Sequence, residues 1–275
     1  MKPGAARRIL WVMTDANPSH TPAKTVAIFA TCLMDAMRPS VGFAMAKLIR
    51  GAGFDVVVPP AQTCCGQPAW NAGDDKDTRA IATAVINAFE GYDYVVLPSG
   101  SCGGMVRVHY QEAFKDDAVM RARAKALAAK TFELSKFLVD VAGAASVPVA
   151  DSARGLRAYY HDSCAGLREL GIKSEPRLLL GRAGVEIIEG VEAETCCGFG
   201  GLFSIKFPDI SGAIVDKKVA DILQSGARLV LGGDLGCLMN VQGRLSRLGH
   251  DIEVRHFAEV LAGVDAPAIG KEAGT

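Results

Sequence analysis

The sequence predicts an α/β fold made of two pseudo-symmetric, Rossmann-like halves, each with a parallel sheet flanked by helices. Three observations support this fold class. Strand-like and helical patterns alternate along the chain, the eight cysteines fall into two matching sets, and each set follows short β-rich runs. Such alternation is typical of parallel sheets with helices on both faces. In sheets of this kind, ligand sites form in the crevice beyond the carboxyl ends of the strands.

Six short runs rich in β-branched and aromatic residues are predicted as strands, and a cysteine follows each of them closely. The runs are TVAIFATC, FDVVVPPAQTCC and YDYVVLPSGSC in the first half, and LRAYYHDSC, VEIIEGVEAETCC and ARLVLGGDLGC in the second. Because parallel strands end at the same edge of a sheet, we expect the thiols of each half to meet there.

Amphipathic patterns between these runs predict helices. Apolar residues recur at helical spacing over residues 41–49, 81–89 and 214–223, and each pattern ends close to a glycine. The stretch 115–138 is predicted as one long helix with a basic, solvated surface.

The cysteine spacing indicates that a half-chain unit has been duplicated. Each set consists of one cysteine, an adjacent pair, and a last cysteine, and 31 residues separate the first cysteine from the pair in both sets. The gap from the pair to the last cysteine is 36 residues in the first set and 39 in the second. The two sets are Cys32, Cys64, Cys65 and Cys102, and Cys164, Cys196, Cys197 and Cys237.

The repeat and the local composition predict the domain limits. Residues 1–24 are interpreted as an extension, 25–145 as the first domain and 156–265 as the second. The residues between the domains are small and turn-rich, which favours a boundary there.

The bulk composition excludes some classes of partner. The 275 residues carry 30 basic and 30 acidic side chains, so no overall field favours nucleic acid. The sequence contains no apolar run long enough for a transmembrane segment and no export signal, so we expect a cytoplasmic protein. Thiols are normally reduced in the cytoplasm, which makes metal binding a better hypothesis than a disulfide framework.

Four thiolates that converge in one crevice suit zinc or an iron–sulfur cluster. Structural zinc sites usually take closely spaced cysteine pairs, whereas directly adjacent cysteines can reach different atoms of a larger cluster, so an iron–sulfur cluster is favoured. Gly66, Gly198 and Gly200 would let the backbone approach such a cluster and point amide groups at sulfur. Buried apolar cysteines and thiol–disulfide chemistry remain weaker alternatives.

Some polar residues near the second set are candidates for a small-acid site. His161 and Asp162 precede Cys164, and Arg168 and Lys206 could pair with a carboxylate. The favoured interpretation is structural, with His161 orienting the loop by hydrogen bonding and both cations on the surface.

Several strings of residues resemble the cysteine-rich CCG domain that occurs in heterodisulfide reductase, in the iron–sulfur component of glycolate oxidase and in lactate utilization proteins. TCCGQPAWNAG, PSGSC, YHDSC, TCCGFGGLFSIKFPDIS and HFAEVL, in this order, are similar to the lactate utilization protein A family over residues 25–262. The resemblance implies an iron–sulfur electron-transfer subunit of an L-lactate-oxidising complex, with other iron–sulfur lactate utilization subunits as partners.

One departure from the family pattern concerns its Cys-x-x-Cys ending. Ser99 and Asp234 stand where that ending has its first cysteine, so each half has four thiols. Four thiolates match the four ligand positions of a 4Fe-4S cluster, and we expect one or two clusters per chain, with zinc in one half left open. A heterodisulfide-reductase-like enzyme that binds substrate at a cluster, and a zinc-bearing assembly protein, remain alternative functions. Because no flavin or nicotinamide fingerprint is present, the chain is not expected to be active alone.

Overall fold

The computed structural model describes residues 24–271, and within them it confirms the predicted α/β fold with two similar halves. Each half contains a four-stranded, all-parallel sheet. The first sheet consists of β1 (Thr25–Ile28), β2 (Asp55–Val57), β3 (Tyr94–Leu97) and β4 (Thr131–Glu133). The second consists of β5 (Arg157–His161), β6 (Glu186–Ile188), β7 (Leu229–Gly232) and β8 (Glu253–His256).

Helices connect the strands in both halves. Those of the first half are α1 (Cys32–Met37), α2 (Pro39–Gly51), α3 (Gln67–Asn71), α4 (Asp75–Phe89), α5 (Gly100–Gly104), α6 (Tyr110–Ala113), α7 (Ala118–Lys130) and α8 (Leu134–Lys136). Those of the second half are α9 (Cys164–Arg168), α10 (Ser174–Arg182), α11 (Phe203–Lys206), α12 (Pro208–Gln224), α13 (Leu235–Arg247) and α14 (Phe257–Ala262). Single turns of π-helix cover Met105–His109 and Phe137–Val141, and 3-10 turns cover Ala144–Ser146 and Asp151–Ala153.

The strand order is the same in the two sheets and creates a crevice in each. The orders are β2-β1-β3-β4 and β6-β5-β7-β8. Ala27 on β1 pairs with Val57 on one side and Val95 on the other, so the chain changes direction across the sheet at β1. A crevice opens beyond the carboxyl ends of the strands at such a switch point. The cysteines therefore follow the three strands that border each crevice.

The prediction of a single helix over 115–138 is wrong. Helix α7 ends at Lys130, and the next three residues form β4, which pairs with β3. Thr131 is fully buried, and Thr131 and Phe132 favour a half-buried pleated surface over a helix. The Glu133 carboxylate then accepts hydrogen bonds from the backbone N–H groups of Ser135 and Lys136 and caps α8. Strand β8 was likewise not predicted.

The two halves share a hydrophobic core and pack through four helix pairs, α2 with α14, α5 with α9, α8 with α10, and α1 with α13. Helices α5 and α9 approach very closely, since a Cβ added to Gly100 would lie 2.7 Å from the backbone nitrogen of Gly166. A buried ion pair also joins the halves, with Arg38 Nε 2.9 Å from Glu259 Oε1. These contacts fix the two sheets relative to each other.

The predicted amino-terminal extension lies outside the described residues except for Lys24, and the other predicted domain limits stay predictions. Within residues 24–271, no helix combines the length and apolar character needed to cross a bilayer.

Candidate metal-binding sites

The first four cysteines converge at the carboxyl end of the first sheet, as predicted. Cys32 begins α1 after β1, the Cys64–Cys65 pair follows β2, and Cys102 lies in α5 after β3. The sulfur atoms of Cys65 and Cys102 are 3.2 Å apart. Cys64 contacts both Cys32 and Cys65 through side-chain hydrogen bonds. The four thiols therefore form one continuous cluster, which we call the first quartet.

The last four cysteines form an equivalent cluster, the second quartet. Cys164 begins α9 after β5, the Cys196–Cys197 pair follows β6, and Cys237 lies in α13 after β7. The sulfur atoms of Cys197 and Cys237 are 2.8 Å apart. Cys196 is linked to Cys164 and Cys197 by side-chain hydrogen bonds. Two thiol clusters thus lie at corresponding edges of the two sheets.

The first cysteine of the pair in the first quartet is held as a thiolate. Hydrogen bonds from Cys32 and then from Cys65 lower the pKa of Cys64 to about 2. The backbone N–H of Gly66 points to Cys64 Sγ at 3.5 Å. The pKa of Cys32 is raised, first by its hydrogen bond to Cys64, and that of Cys65 is raised, first by its hydrogen bond to Cys102. The thiolate is the form of cysteine that binds metals.

The second quartet repeats this pattern. Hydrogen bonds from Cys164 and then from Cys197 lower the pKa of Cys196 to about 2. The backbone N–H of Gly198 donates to Cys196 Sγ at 3.3 Å. The hydrogen bond to Cys196 is also the first cause of the raised pKa values of Cys164 and Cys197. One negative charge is therefore stabilised at the same position in each half.

The three predicted glycines all have positive φ angles, which favour residues without a Cβ. The φ angle is 84° at Gly66, 79° at Gly198 and 53° at Gly200. A Cβ added to Gly198 would lie only 2.6 Å from the carbonyl oxygen of Ser211. The turn that aims the Gly198 amide at sulfur thus depends on glycine for both its φ angle and its space.

Two residues that hold the cysteine pairs were not found from the sequence. The Tyr110 hydroxyl donates a 2.8 Å hydrogen bond to the carbonyl oxygen of Cys65. In the second half, Asn240 Nδ2 donates to the carbonyl oxygen of Cys197 at 2.8 Å. Different residue types at non-corresponding positions perform this bracing, so the internal repeat carries no signal for it.

Ser99 and Asp234, which replace the first cysteine of the Cys-x-x-Cys ending, act as helix caps. Ser99 Oγ accepts from the backbone N–H of Cys102 at the start of α5, at 3.4 Å. Asp234 Oδ1 accepts from the backbone N–H of Gly236 at the start of α13, at 3.2 Å. Each side chain therefore orients the helix that carries the last cysteine of its quartet.

His161 lies against the second quartet, and its side chain does not make the hydrogen bond that the structural interpretation predicts. It is 1% exposed, and one ring nitrogen lies within 4.8 Å of both Cys197 Sγ and Cys237 Sγ. Neither nitrogen has a hydrogen-bond partner among the described residues, so the predicted loop-orienting bond is not observed. Burial, followed by the charge of Lys218, lowers the pKa of His161 to about 3, so the imidazole is neutral.

The other candidates for a small-acid site have structural or surface positions. Asp162 is buried, and both of its carboxylate oxygens accept hydrogen bonds from Arg177, at 2.9 and 2.8 Å. Arg168 and Lys206 lie on the surface, as the structural interpretation expects. Asp162 therefore forms a structural ion pair with Arg177.

Both quartets fit a thiophilic metal or an iron–sulfur cluster in their donor chemistry. Each offers four sulfur atoms, one of them held as a thiolate, and a backbone amide directed at that sulfur. The second members of the pairs, Cys65 and Cys197, are buried, whereas Cys32 is exposed. Each site is therefore shielded from water on its inner side.

Comparison with known proteins shows that the chain contains two cysteine-rich domains and is similar to lactate utilization proteins. The cysteine-rich domain (CCG) family matches residues 26–107 and 158–242, one copy in each half. Lactate utilization protein A of Exiguobacterium sp. is 49% identical over 239 residues, which cover 86% of this chain and 96% of the relative. The corresponding protein of Halalkalibacterium halodurans is 46% identical, covering 86% and 96%. Lactate utilization protein A 2 of Bacillus cereus is 44% identical, covering 86% and 97%. The chain thus belongs to the lactate utilization protein A family.

Proposed function

We propose that this protein takes part in lactate utilization as an iron–sulfur electron-transfer subunit of an L-lactate-oxidising complex. The observation that carries the proposal is the pair of thiol quartets, each with two adjacent cysteines, at equivalent edges of two sheets. The names of the relatives support the link to lactate. We propose all eight cysteines as metal ligands.

The adjacent cysteines favour a cluster over a single ion. Cys64 and Cys65 are direct neighbours in the chain, and two such sulfurs reach different metal atoms of a cluster more readily than one shared ion. An iron–sulfur cluster, when bound, supplies one-electron redox chemistry. The protein would hold it through the thiolates, and the amides of Gly66 and Gly198 would stabilise negative charge on sulfur. We propose a 4Fe-4S cluster in each half, with zinc in one half as the variant to be tested.

The contact between the halves supports electron exchange between the two sites. Helix α5 carries Cys102 of the first quartet, and α9, which packs on α5, begins with Cys164 of the second. The close approach of Gly100 to Gly166 brings the two helices together. The exposed Cys32 gives the first quartet an edge at the surface, where a partner protein can accept or deliver an electron.

Lactate oxidation needs more than this chain provides. It releases two electrons and two protons, and since clusters carry electrons only, another cofactor must accept hydride or a proton with its electrons. We therefore expect partner subunits with further iron–sulfur centres, located with this protein in the cytoplasm. The isolated chain should not oxidise lactate.

The test is anaerobic purification followed by iron, acid-labile sulfide and zinc analysis, EPR and a lactate assay. We expect iron and sulfide in similar amounts, visible absorption that dithionite bleaches, and no lactate turnover by the chain alone. Zinc without sulfide in both halves would instead indicate a zinc-bearing assembly protein. Turnover of a disulfide substrate or of lactate by the isolated chain would indicate an enzyme that binds substrate at its cluster.

A further inference from the structure

The two quartets differ at one position that the internal repeat makes comparable. Three residues before the first cysteine of each quartet, the first half has Phe29 and the second half has His161. Phe29 is fully buried and stacks on Phe89, with ring centroids 5.0 Å apart. His161 is equally buried at the end of β5. An apolar ring in one half thus corresponds to an imidazole in the other.

The surroundings of His161 leave its polar atoms without a role in the fold. Neither ring nitrogen has a hydrogen-bond partner within residues 24–271. Leaving a buried polar group unpaired is unfavourable, and most such groups in folded proteins have a partner, so an unpaired one calls for an explanation. Phe29 shows that this position can be filled by an apolar ring of the same general shape, so packing alone does not require histidine.

The position of the imidazole supplies the explanation. One ring nitrogen lies within 4.8 Å of the sulfur atoms of Cys197 and Cys237, and these two sulfurs are themselves 2.8 Å apart. Bonds of about 2.0–2.3 Å put the ligands of one tetrahedral metal about 3.5–4 Å apart, so atoms within 4.8 Å of one another need shift by only about 1 Å to share one metal. Neutral imidazole and thiolate are also ligands that zinc and iron–sulfur centres both accept.

We infer that His161 is a metal ligand of the second quartet and takes one of its four ligand positions in place of a thiolate. The second site then has a mixed cysteine and histidine donor set, whereas the first has cysteine alone, and the ligand set proposed above changes from eight cysteines to seven and His161. This inference rests on the proposed function only in that the quartets hold metal. Replacement of thiolate by imidazole raises the reduction potential of an iron–sulfur centre. The two halves then hold centres that are unequal as electron acceptors, despite their common fold.

The test is pulsed EPR on the anaerobically purified, dithionite-reduced protein, made with nitrogen-15 in its histidines only. Cys65→Ala removes the first site, so that only the second is measured. Cys197→Ala removes the second site, so that only the first is measured. We expect a strong nitrogen coupling in the Cys65→Ala protein that shifts with the isotope, and none in the Cys197→Ala protein. Adding His161→Phe, which copies the first half, should abolish the coupling. His250→Gln, at a partly exposed position just beyond α13, should leave it unchanged.

Iron, sulfide and zinc are measured on the same samples. A failure of the iron–sulfur proposal can then be told apart from a failure of the proposed role of His161. Iron in the second site without a histidine nitrogen coupling would overturn the role of His161 and leave the iron–sulfur proposal standing. If the second site holds zinc, X-ray absorption at the zinc edge must show a nitrogen ligand that His161→Phe removes, and a sulfur-only shell would overturn the inference. If His161→Phe does not fold, the isotope shift in the protein with His161 intact still shows whether a histidine nitrogen binds the second centre.

Discussion

The hydroxyl of Ser99 donates a 2.8 Å hydrogen bond to the Asp234 carboxylate across the boundary between the two halves. The same carboxylate oxygen accepts the backbone N–H of Ser101 at 3.0 Å. Both side chains are buried, with 6% and 4% exposed. The two positions at which this chain lacks the first cysteine of the Cys-x-x-Cys ending are therefore bonded to each other. They join the halves close to both quartets rather than supplying sulfur to either.

A double-mutant cycle should detect this bond as a coupling energy. Ser99→Ala removes one donor to Asp234 and the cap of α5, whereas Asp234→Ala removes the acceptor, the cap of α13 and the bond to Ser101. We expect Asp234→Ala to lower the free energy of unfolding by about 2–4 kcal/mol, since it leaves buried donors unpaired. The coupling between the two substitutions should be about 1–3 kcal/mol, measured by urea denaturation of the anaerobically purified protein.

Ser101→Ala is the matched control for this cycle. Its backbone N–H still donates to Asp234, so only the hydroxyl contact with Ser99 is lost. We expect the coupling between Ser101→Ala and Asp234→Ala to be smaller than that between Ser99→Ala and Asp234→Ala. Additive effects of Ser99→Ala and Asp234→Ala would mean that the bond contributes nothing to stability.

The strands that precede cysteines could be predicted because their signal is local. Val26, Val95 and Val230, for example, lie in short apolar runs that a turn or a glycine ends. Thr131–Glu133 gave no such signal, because these three residues directly follow a helix without a turn residue between them. They form a strand only because β3 offers a free edge for pairing, which is a tertiary effect.

The site was predictable to the extent that duplication shaped it. The repeated cysteine spacing predicted that each quartet converges, and the positive φ angles of Gly66, Gly198 and Gly200 agree with the expectation that residues without a Cβ are needed there. Tyr110 and Asn240 brace the pairs through contacts between distant elements, which a repeat search does not detect. The same holds for Ser99 and Asp234, whose partner lies in the other half.

The two glycines that follow the cysteine pairs should differ in their tolerance of alanine. A Cβ at Gly198 would lie 2.6 Å from a backbone oxygen, whereas a Cβ at Gly66 would lie 3.1 Å from a side-chain methyl group of Ile81. We expect Gly66→Ala to cost about 1–2 kcal/mol, mainly from its positive φ angle, and Gly198→Ala about 3 kcal/mol or more. Urea denaturation and the iron retained per chain measure the two effects.

Gly201→Ala isolates the contribution of the φ angle in this comparison. Gly201 has a φ angle of 62°, and a Cβ there would meet nothing within 4 Å. We expect a loss of about 1 kcal/mol and full iron content for this variant. If Gly198→Ala were no more destabilising than Gly201→Ala, the close contact with Ser211 would not constrain the second site.

Stability should fall as the pH rises from about 4.5 towards neutrality because of one buried carboxyl group. Burial raises the pKa of Glu133 from 4.5 to about 7, against the opposing hydrogen bonds from Ser135 and Lys136, and the charge of Glu175 raises it further. The folded state then binds the proton more tightly than the unfolded state. The stabilisation is complete below about pH 4.5 and is lost as the pH rises to about 7, a change of at most about 3 kcal/mol.

Glu133→Gln tests this dependence, because glutamine keeps an acceptor for α8 and does not titrate. We expect the difference in free energy of unfolding between the variant and the parent protein to move in favour of the variant from about pH 5 to about pH 8. Unfolding in urea at several pH values measures that difference, and contributions from other titrating groups cancel in it. A difference that stays constant over this range would show that Glu133 has an ordinary pKa.

Substitution of one thiolate in each quartet should separate the two sites. Cys64→Ser and Cys196→Ser remove the residues whose pKa values are lowered to about 2. Because the quartets lie on different sheets and share no cysteine, each variant should lose about half of the bound iron and sulfide and keep the EPR signal of the other half. Unchanged iron in either variant would contradict ligation by that cysteine. Loss of all iron from both would mean that the two quartets hold one shared centre, which the packing of α5 on α9 would then have to bridge.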